Sequence, residues 1–542
     1  MRRSRTTLIS LLAAAAVAAT TPLAGAQPRA AVAASSPTVA VTAAEPGDNL
    51  LDMGGLDGTP LRPTRDVAAV KKRQAAVRET TTQSSPGLRL PTDPPISGFL
   101  SSGATLVEAP TAARPYDTTK ITPGEGWGVR DSTDVRMFSF VGETKQWNHP
   151  VGQAQYALYS LNSYRLTKDQ AYLDSAAKNA QRLVDRRVES GGAWYYPYDF
   201  DFAVHGDTTE TLKAPWYSGM AQGQALSVFV RLFQVTGDEK WKTAADATYA
   251  SMRQTPEGEA PFASWVDEKG RLWLEEYPRY PVVNSEKVLN GHIFALYGLH
   301  DYWVLTQNEE VRALTLGALR TVELTVPAEY RRQGAVSVYS LRHKVSTHSY
   351  HSVHVRQFLE LWRLTKSQVF YVNTANTYRS DYPLRGGTGT AVITPRVTKM
   401  YKADNFGKIT ATKAVSFGRT TGAPFDHRVR LQGGPIGLRL SAGTHTGWFV
   451  PEGFGVAFAR GAVDAHAYLP KVTIQFTPKT FTAYRLDAAG NVSGYKNLTI
   501  TRNSNAPSPH SATVQGRPAW YFPDGAFAGL WVPMQTGINP LY

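Results

Sequence analysis

Four near-identical breaks in the middle of the chain constrain its fold more than any other feature. Leu166-Thr167-Lys168-Asp169-Gln170, Val235-Thr236-Gly237-Asp238-Glu239, Leu305-Thr306-Gln307-Asn308-Glu309 and Leu364-Thr365-Lys366-Ser367-Gln368 all contain Thr-x-x-Glu/Gln, and their threonines lie 69, 70 and 59 residues apart. That spacing is a capping box, in which Thr accepts from the N3 amide while Glu or Gln returns to the N-cap amide, so each Thr is expected to start a helix. Apolar residues at three- and four-residue spacing precede every break. The repeating unit is therefore helix, tight turn, helix, and four helical hairpins are expected between Trp147 and Tyr382, within a domain spanning 111–385. A lone hairpin cannot bury both faces, so the hairpins must pack together, as an open solenoid or, in the reading favoured here, as an α/α toroid.

After about Gly386 the pattern changes to short runs of Val, Thr, Phe and Tyr between Gly, Pro and Asn turns, which reads as β structure. Pro395, Tyr401, Asp404, Gly407, His427, Gln432 and Trp448 recur as Pro478, Tyr484, Asp487, Gly490, His510, Gln515 and Trp531, each 83 residues later. Two tandem all-β modules, 386–460 and 461–542, follow, making the chain a multidomain α + β protein. A Trp in a repeated strand is more often core than a sugar-stacking platform, yet glycan or cell-wall attachment through these modules is one expectation.

The N-terminus is of another kind. Met1-Arg2-Arg3-Ser4-Arg5, an apolar run from Leu8 to Ala19 and Ala24-Gly25-Ala26 form the anatomy of a secretory signal peptide (1–26), with cleavage expected after Ala26. From Gln27 to about Pro110 the chain is rich in Ala, Pro, Thr and Ser without a sustained period, which predicts a low-complexity linker with at most a short helix over Val67–Arg78. No later stretch has about 20 uncharged apolar residues, so no membrane span is expected after signal removal, and the protein is expected to be secreted or wall-associated. The chain has no cysteine, which removes disulfides, thiolate nucleophiles and Cys-ligated zinc together. Losing three signal-peptide arginines lowers the formal charge only from +14 to +11, so anionic polymers such as uronic acid polysaccharides are the natural partners, and a dedicated nucleic-acid role is not expected.

Residues that carry chemistry cluster in four stretches between the helices: Ala214-Pro215-Trp216-Tyr217 through Gln222-Gly223-Gln224, Glu275-Glu276-Tyr277-Pro278, Val288-Leu289-Asn290-Gly291, and Tyr339-Ser340-Leu341-Arg342-His343 through Ser349-Tyr350-His351. In order and wording they resemble the C-terminal helical domain of the heparan-type D-glucuronyl C5-epimerases of glycosaminoglycan biosynthesis. The resemblance implies an isomerase that inverts C5 of uronic acid residues within a polysaccharide, and with the leader anatomy the expectation is an exported bacterial one. It implies Glu276 and Tyr350 as the acid/base pair, Tyr277 and Tyr339 as pocket tyrosines, and a homodimer, since relatives form dimers.

The chemistry is consistent with these residue types. Removing the proton α to a carboxylate builds charge on a group that is already anionic, and Arg342 has the planar fork to hold it bidentately. Inversion then needs one group on each face. A tyrosine would need nearby cations to act as the base, and Arg342 with His343 or His351 is expected to supply them. Trp216, Tyr217, Gln222, Asn290, His343 and His351 are the expected substrate-binding residues. The histidine-rich run His343, His348, His351 and His354 offers only a weak ligand pair at helical spacing, so no metal is expected, and the absence of a Gly-rich dinucleotide loop argues against a nicotinamide cofactor. Two other functions fit: a uronate polysaccharide lyase, which begins with the same proton abstraction, and a non-catalytic wall-binding protein.

Overall fold

A computed structural model describes residues 95–542 apart from 110–112, 125–126, 141–142, 334, 347, 367, 383–387 and 405–406. The expected signal peptide, most of the linker and the helix over Val67–Arg78 lie outside the described residues. Eight α-helices form the first part among those described: α1 (Pro150–Thr167), α2 (Gln170–Asp185), α3 (Gly219–Thr236), α4 (Glu239–Arg253), α5 (Leu289–Thr306), α6 (Glu309–Thr325), α7 (His348–Leu364) and α8 (Val369–Asp381). They pair as four hairpins, and the first helices pack in order, α1 on α3, α3 on α5 and α5 on α7. This order is common to a ring and an open array. Helices α3 and α5 are buried along nearly all their length, whereas α2 buries one stripe of Leu173, Ala176, Ala180 and Leu183. The first helices are thus the inner layer. At the α3–α5 crossing a Cβ on Gly223 would fall 2.3 Å from the Ala295 Cα, and one on Gly298 would fall 2.1 Å from the Gly223 carbonyl oxygen. Only glycine lets these two backbones touch.

The hairpin turns correct the capping-box reading. Thr167, Thr236 and Thr306 end the first helix of each pair, donating their hydroxyls to the carbonyls of Ser163, Leu232 and Tyr302 at 2.8, 2.7 and 2.8 Å. A left-handed residue follows each, Lys168, Gly237 or Gln307. The next helix is capped two residues after the Thr, by Asp169, Asp238 and Asn308, whose side chains accept from the amides of Ala171, Lys240 and Glu310. A short hydroxyl can close the last turn of one helix as readily as it can open another, and spacing to Glu or Gln does not separate the two. In the fourth break Thr365–Lys366 (β8) instead pairs antiparallel with Thr105–Leu106 (β1), and Gln368 caps α8 without a side-chain bond.

The linker expectation is corrected over 95–109, which forms an extended strap across the later hairpins. Ile96 donates to the Arg253 carbonyl, Leu100 to Gly270, Ser102 to Leu316 and Val107 to Leu364, at 2.7–3.0 Å, and Ile96, Ala104 and Leu106 are buried. A few apolar residues at extended spacing suffice where a neighbour supplies the backbone partners.

Fourteen antiparallel strands follow in two seven-stranded sheets. The first holds β9 (Gly389–Ile393), β10 (Arg396–Ala403), β11 (Ile409–Phe417), β12 (Thr421–Arg430), β13 (Ile436–Leu440), β14 (Phe449–Pro451) and β15 (Ala457–Ala459), in the order β11-β10-β14-β13-β12-β9-β15. The second holds β16 (Ala462–Phe476), β17 (Lys479–Leu486), β18 (Val492–Ile500), β19 (Ser504–Val514), β20 (Arg517–Phe522), β21 (Leu530–Pro533) and β22 (Ile538–Leu541), in the order β18-β17-β21-β20-β19-β16-β22. Strand for strand the two orders correspond. Trp531 is buried against Tyr521, with ring centroids 5.1 Å apart, whereas Trp448 is half-buried beneath the Lys413 ammonium, 4.1 Å above its ring.

Candidate active site

The long connections between hairpins, 186–218, 254–288 and 326–347, hold the chemistry, and backbone hydrogen bonds tie them together. The Gly219 amide, opening α3, donates to the Glu275 carbonyl at 2.6 Å, Leu289, opening α5, donates to Tyr339 at 3.1 Å, and Arg342 donates to Glu286 at 3.3 Å. Short ribbons stiffen them: Val188–Ser190 (β2) with Ala193–Tyr195 (β3), Phe202–Ala203 (β4) with Thr211–Leu212 (β5), and Ser264–Val266 (β6) with Leu272–Leu274 (β7).

Glu276 follows β7 and is buried against the first turn of α5, so closely that a Cβ on Gly291 would fall 2.1 Å from its Oε2. Tyr277, Tyr339 and Tyr350 are buried beside it, with the Tyr339 and Tyr350 rings 4.2 Å apart. Burial pushes the Glu276 carboxyl well above the usual carboxylate range; the Tyr277 and Tyr339 hydroxyls oppose this and the charges of Glu275 and Glu286 add to it. Glu276 Oε2, the Tyr277 and Tyr339 hydroxyls and both amide atoms of Asn290 are buried without a well-formed hydrogen bond inside the protein.

Outside this chamber a cleft of about 410 Å³ is lined by Lys213, Trp216, Tyr217, Arg279, Asn284 and Arg342, among others. Trp216 forms the wall between them. Its ring stacks on Tyr198 at 3.8 Å, its Nε1 donates to the Phe200 carbonyl at 2.8 Å, and its centroid is 6.0 Å from that of Tyr277.

The structure therefore brings Glu276, Tyr277, Tyr339 and Tyr350 together and separates others from them. Arg342 lies with the cleft: it donates to Glu210 Oε1 at 2.8 Å and to the Asn284 carbonyl, a correction to its expected place against the tyrosines. The tyrosine hydroxyls accordingly have raised, not lowered, proton affinity, through burial and the neighbouring Glu276. Gln222 is structural, accepting from the Tyr196 amide at 3.1 Å and donating to the Trp194 carbonyl at 2.6 Å and Ser251 at 2.7 Å. His351 is too: its ring nitrogens meet Ser337 and the carbonyls of Tyr378 and Tyr382, and His354 shares Ser337 at 2.8 Å. Position on one helix placed these histidines in a run, but the helix turns them into the packing against α8. The side chain of His348 lies outside the described residues.

Sequence reasoning passed over Glu286, His205 and Glu210. The Glu286 carboxylate is fully buried, and its Oε2 receives His205 Nε2 at 3.1 Å, His343 Nδ1 at 2.8 Å and the Ser340 hydroxyl at 2.6 Å, which hold it well below the usual range despite burial. His343 Nε2 lies 3.0 Å from Glu210 Oε2. His205 and Glu210 come from the first connection, Glu286 from the second and their shared partner His343 from the third, so no local spacing marks them.

Residues 193–380 match the model of the D-glucuronyl C5-epimerase C-terminus, a span that contains the whole chamber and cleft. Over this span the helical domain is similar to the D-glucuronyl C5-epimerase C-terminus. A D-glucuronyl C5-epimerase of Caenorhabditis elegans is 29% identical over 196 residues, covering 32% of this chain and 30% of the relative, so the chain spans under a third of that protein's length. Among solved structures, the cellobiose 2-epimerase of Bacillus thermoamylovorans is 13% identical with a TM-score of 0.34, covering 46% of this chain and 64% of that one. An α-mannanase of Bacteroides thetaiotaomicron is 10% identical with a TM-score of 0.31, covering 44% and 58%. Both superpositions are loose. Glu276, Tyr277, Tyr339 and Tyr350, the residues gathered in the chamber, all lie within the matched span.

Proposed function

We propose that this chain is an exported uronate C5-epimerase acting on an anionic polysaccharide. The observation that carries the reading is the buried chamber in which one carboxyl and three phenols gather with raised proton affinities, inside the span that is similar to the epimerase C-terminus. A carboxyl with raised proton affinity is a stronger base once ionised, and a neutral phenol is suited to deliver a proton. Glu276 takes the C5 proton from one face of the sugar and Tyr350 or Tyr339 returns one from the other. Arg342 and Arg279, at the cleft, attract carboxylates of neighbouring uronates along the polymer, one of which competes with Glu210 for the Arg342 guanidinium. Tyr217 offers an aromatic face to the sugar rings, while Trp216, stacked on Tyr198 and Phe202, shapes the wall behind it. The arginine stabilises the bound acid rather than the tyrosines.

The exported location rests on the leader anatomy, and no described helix is long and apolar enough to cross a membrane. The half-buried Trp448, with Lys413 above it and Lys402 5.8 Å from its ring, supports attachment of the first sheet to acidic wall glycan. The polymer's identity, including any heparan-type backbone, and a homodimer remain part of this proposal.

Incubating the full chain with a glucuronate polymer in deuterated water tests the reading. Deuterium at C5 with unchanged chain length supports it. Shortened chains with unsaturated ends replace it with a lyase, and no exchange on any uronate polymer leaves a glycan-binding protein.

A further inference from the structure

Buried carboxylates are stable when cations or strong donors surround them, and Glu286 has an unusual set. His205 Nε2 and His343 Nδ1 approach the same oxygen at 3.1 and 2.8 Å, and one ligand atom from each of His205, Glu286 and His343 lies within 4.8 Å of the others. Three ligand atoms around one small ion stand about 3 Å or slightly more apart, because each bond to zinc is about 2.0–2.2 Å. Two further observations point to a ligand. His343 places its second nitrogen, Nε2, 3.0 Å from Glu210 Oε2, an ion-pair distance at which a carboxylate stands where the outer partner of a metal-bound imidazole commonly does. His205 sits at φ +54° inside a tight turn, Val204–Gly206, a left-handed conformation that few residues other than glycine adopt and that fixes where its ring points. The Ser340 hydroxyl, 2.6 Å from Glu286 Oε2, completes an outer layer.

We propose that His205, Glu286 and His343 bind a divalent transition-metal ion, zinc being the species that suits two imidazoles and a carboxylate with one position open. His205 comes from the first long connection, Glu286 from the second and His343 from the third, so the ion cross-links the segments that build the chamber and cleft. Its role is to hold these connections in register, and it does not depend on the epimerase reading.

The test uses the untagged full chain, stripped with chelator, incubated with zinc chloride and desalted, with bound zinc measured by mass spectrometry. One equivalent retained per chain is expected, with a rise in melting temperature of about 5 °C on loading. His205→Ala and Glu286→Gln should drop retention below a tenth of an equivalent, Glu210→Gln should weaken affinity by about 10–100-fold, and His445→Ala, on the first sheet, should change nothing. Because the histidine variants risk misfolding, cobalt(II) bound to the wild type gives a second reading: intense visible bands of a four-coordinate site with nitrogen and oxygen ligands. No retained zinc and no such bands in the wild type overturn the proposal and make the cluster a hydrogen-bonded histidine–carboxylate–histidine chain. Retention undiminished in folded His205→Ala and Glu286→Gln overturns it as well, by placing the metal elsewhere.

Discussion

Two adjacent carboxyls, Glu275 and Glu276, show how local geometry divides like residues. Glu275 accepts from the Lys287 amide at 3.1 Å and the Tyr277 amide at 3.3 Å, yet full burial still pushes it up to about 7. Glu276 turns toward the phenols and is raised further. In the unfolded chain both lose their protons near pH 4.3, so the folded state holds more protons above that pH and stability falls as pH rises toward 7. Glu275→Gln should remove its share of that slope, so that denaturant melts at pH 5 and pH 8 differ by about 3 kcal/mol less than in the wild type. Glu276→Gln and Tyr339→Phe, each nearly isosteric, should lower C5 exchange by at least about 100-fold while the circular dichroism melt stays within a few degrees. Tyr217→Ala should raise KM with little change in kcat if its ring only holds the sugar at the cleft. The pairing of Glu276 with Tyr277 was legible in the sequence because the two are neighbours. The association of Arg342 with Glu210 was not, because 132 residues separate them.

At the scale of elements, the hairpins show a period that sequence reveals and a boundary that it misplaces. The 69- and 70-residue repeats fall on real helix–turn–helix units, but Asp169, Asp238 and Asn308 start the second helices rather than the threonines. Asp238→Ala should cost about 1 kcal/mol, read from urea denaturation, because it strips the Lys240 amide of its partner at the start of α4. Thr236→Val should cost less, since the Leu232 carbonyl it leaves has water available at the exposed turn. The change from helical to strand pattern near Gly386 was visible from composition and turn residues alone. That the two sheets share one strand order follows from the 83-residue repeat, since equal side chains at equal intervals form equal ladders.

Across the whole molecule, the helical domain and the sheets meet at a buried ionic junction. Arg379 of α8 donates to the Asp464 carbonyl at 2.8 Å and to Tyr468 at 3.2 Å and Ser511 at 3.3 Å, all in or beside the second sheet. Arg428 of the first sheet pairs with Glu452 at 2.7 Å and reaches Thr513 of the second at 3.2 Å. The Asp464 carboxylate also lies 3.7 Å from Arg379 and 4.0 Å from Arg428, so Asp464→Ala leaves buried guanidinium charge uncompensated and should destabilise the chain by about 3 kcal/mol and shift helical and sheet probes together. A chain truncated after Gly386 should likewise lose helical stability, because Arg379 and Asn376, which donates to the Tyr542 hydroxyl at 2.8 Å, then lack their partners.

By itself the sequence determined the alternation of helical hairpins, the switch to repeated strands, the basic charge and the motifs that resemble the epimerase domain. All of these are written in spacing and composition along one direction of the chain, where local hydrogen bonding and side-chain period decide. Tertiary structure alone decided which charges face each other: that Arg342 answers Glu210, that Glu286 collects two histidines, and that His351 supports packing. Those outcomes depend on three separate connections closing over one another, and on burial, which raises the cost of every unpaired charge and so selects its partner in space.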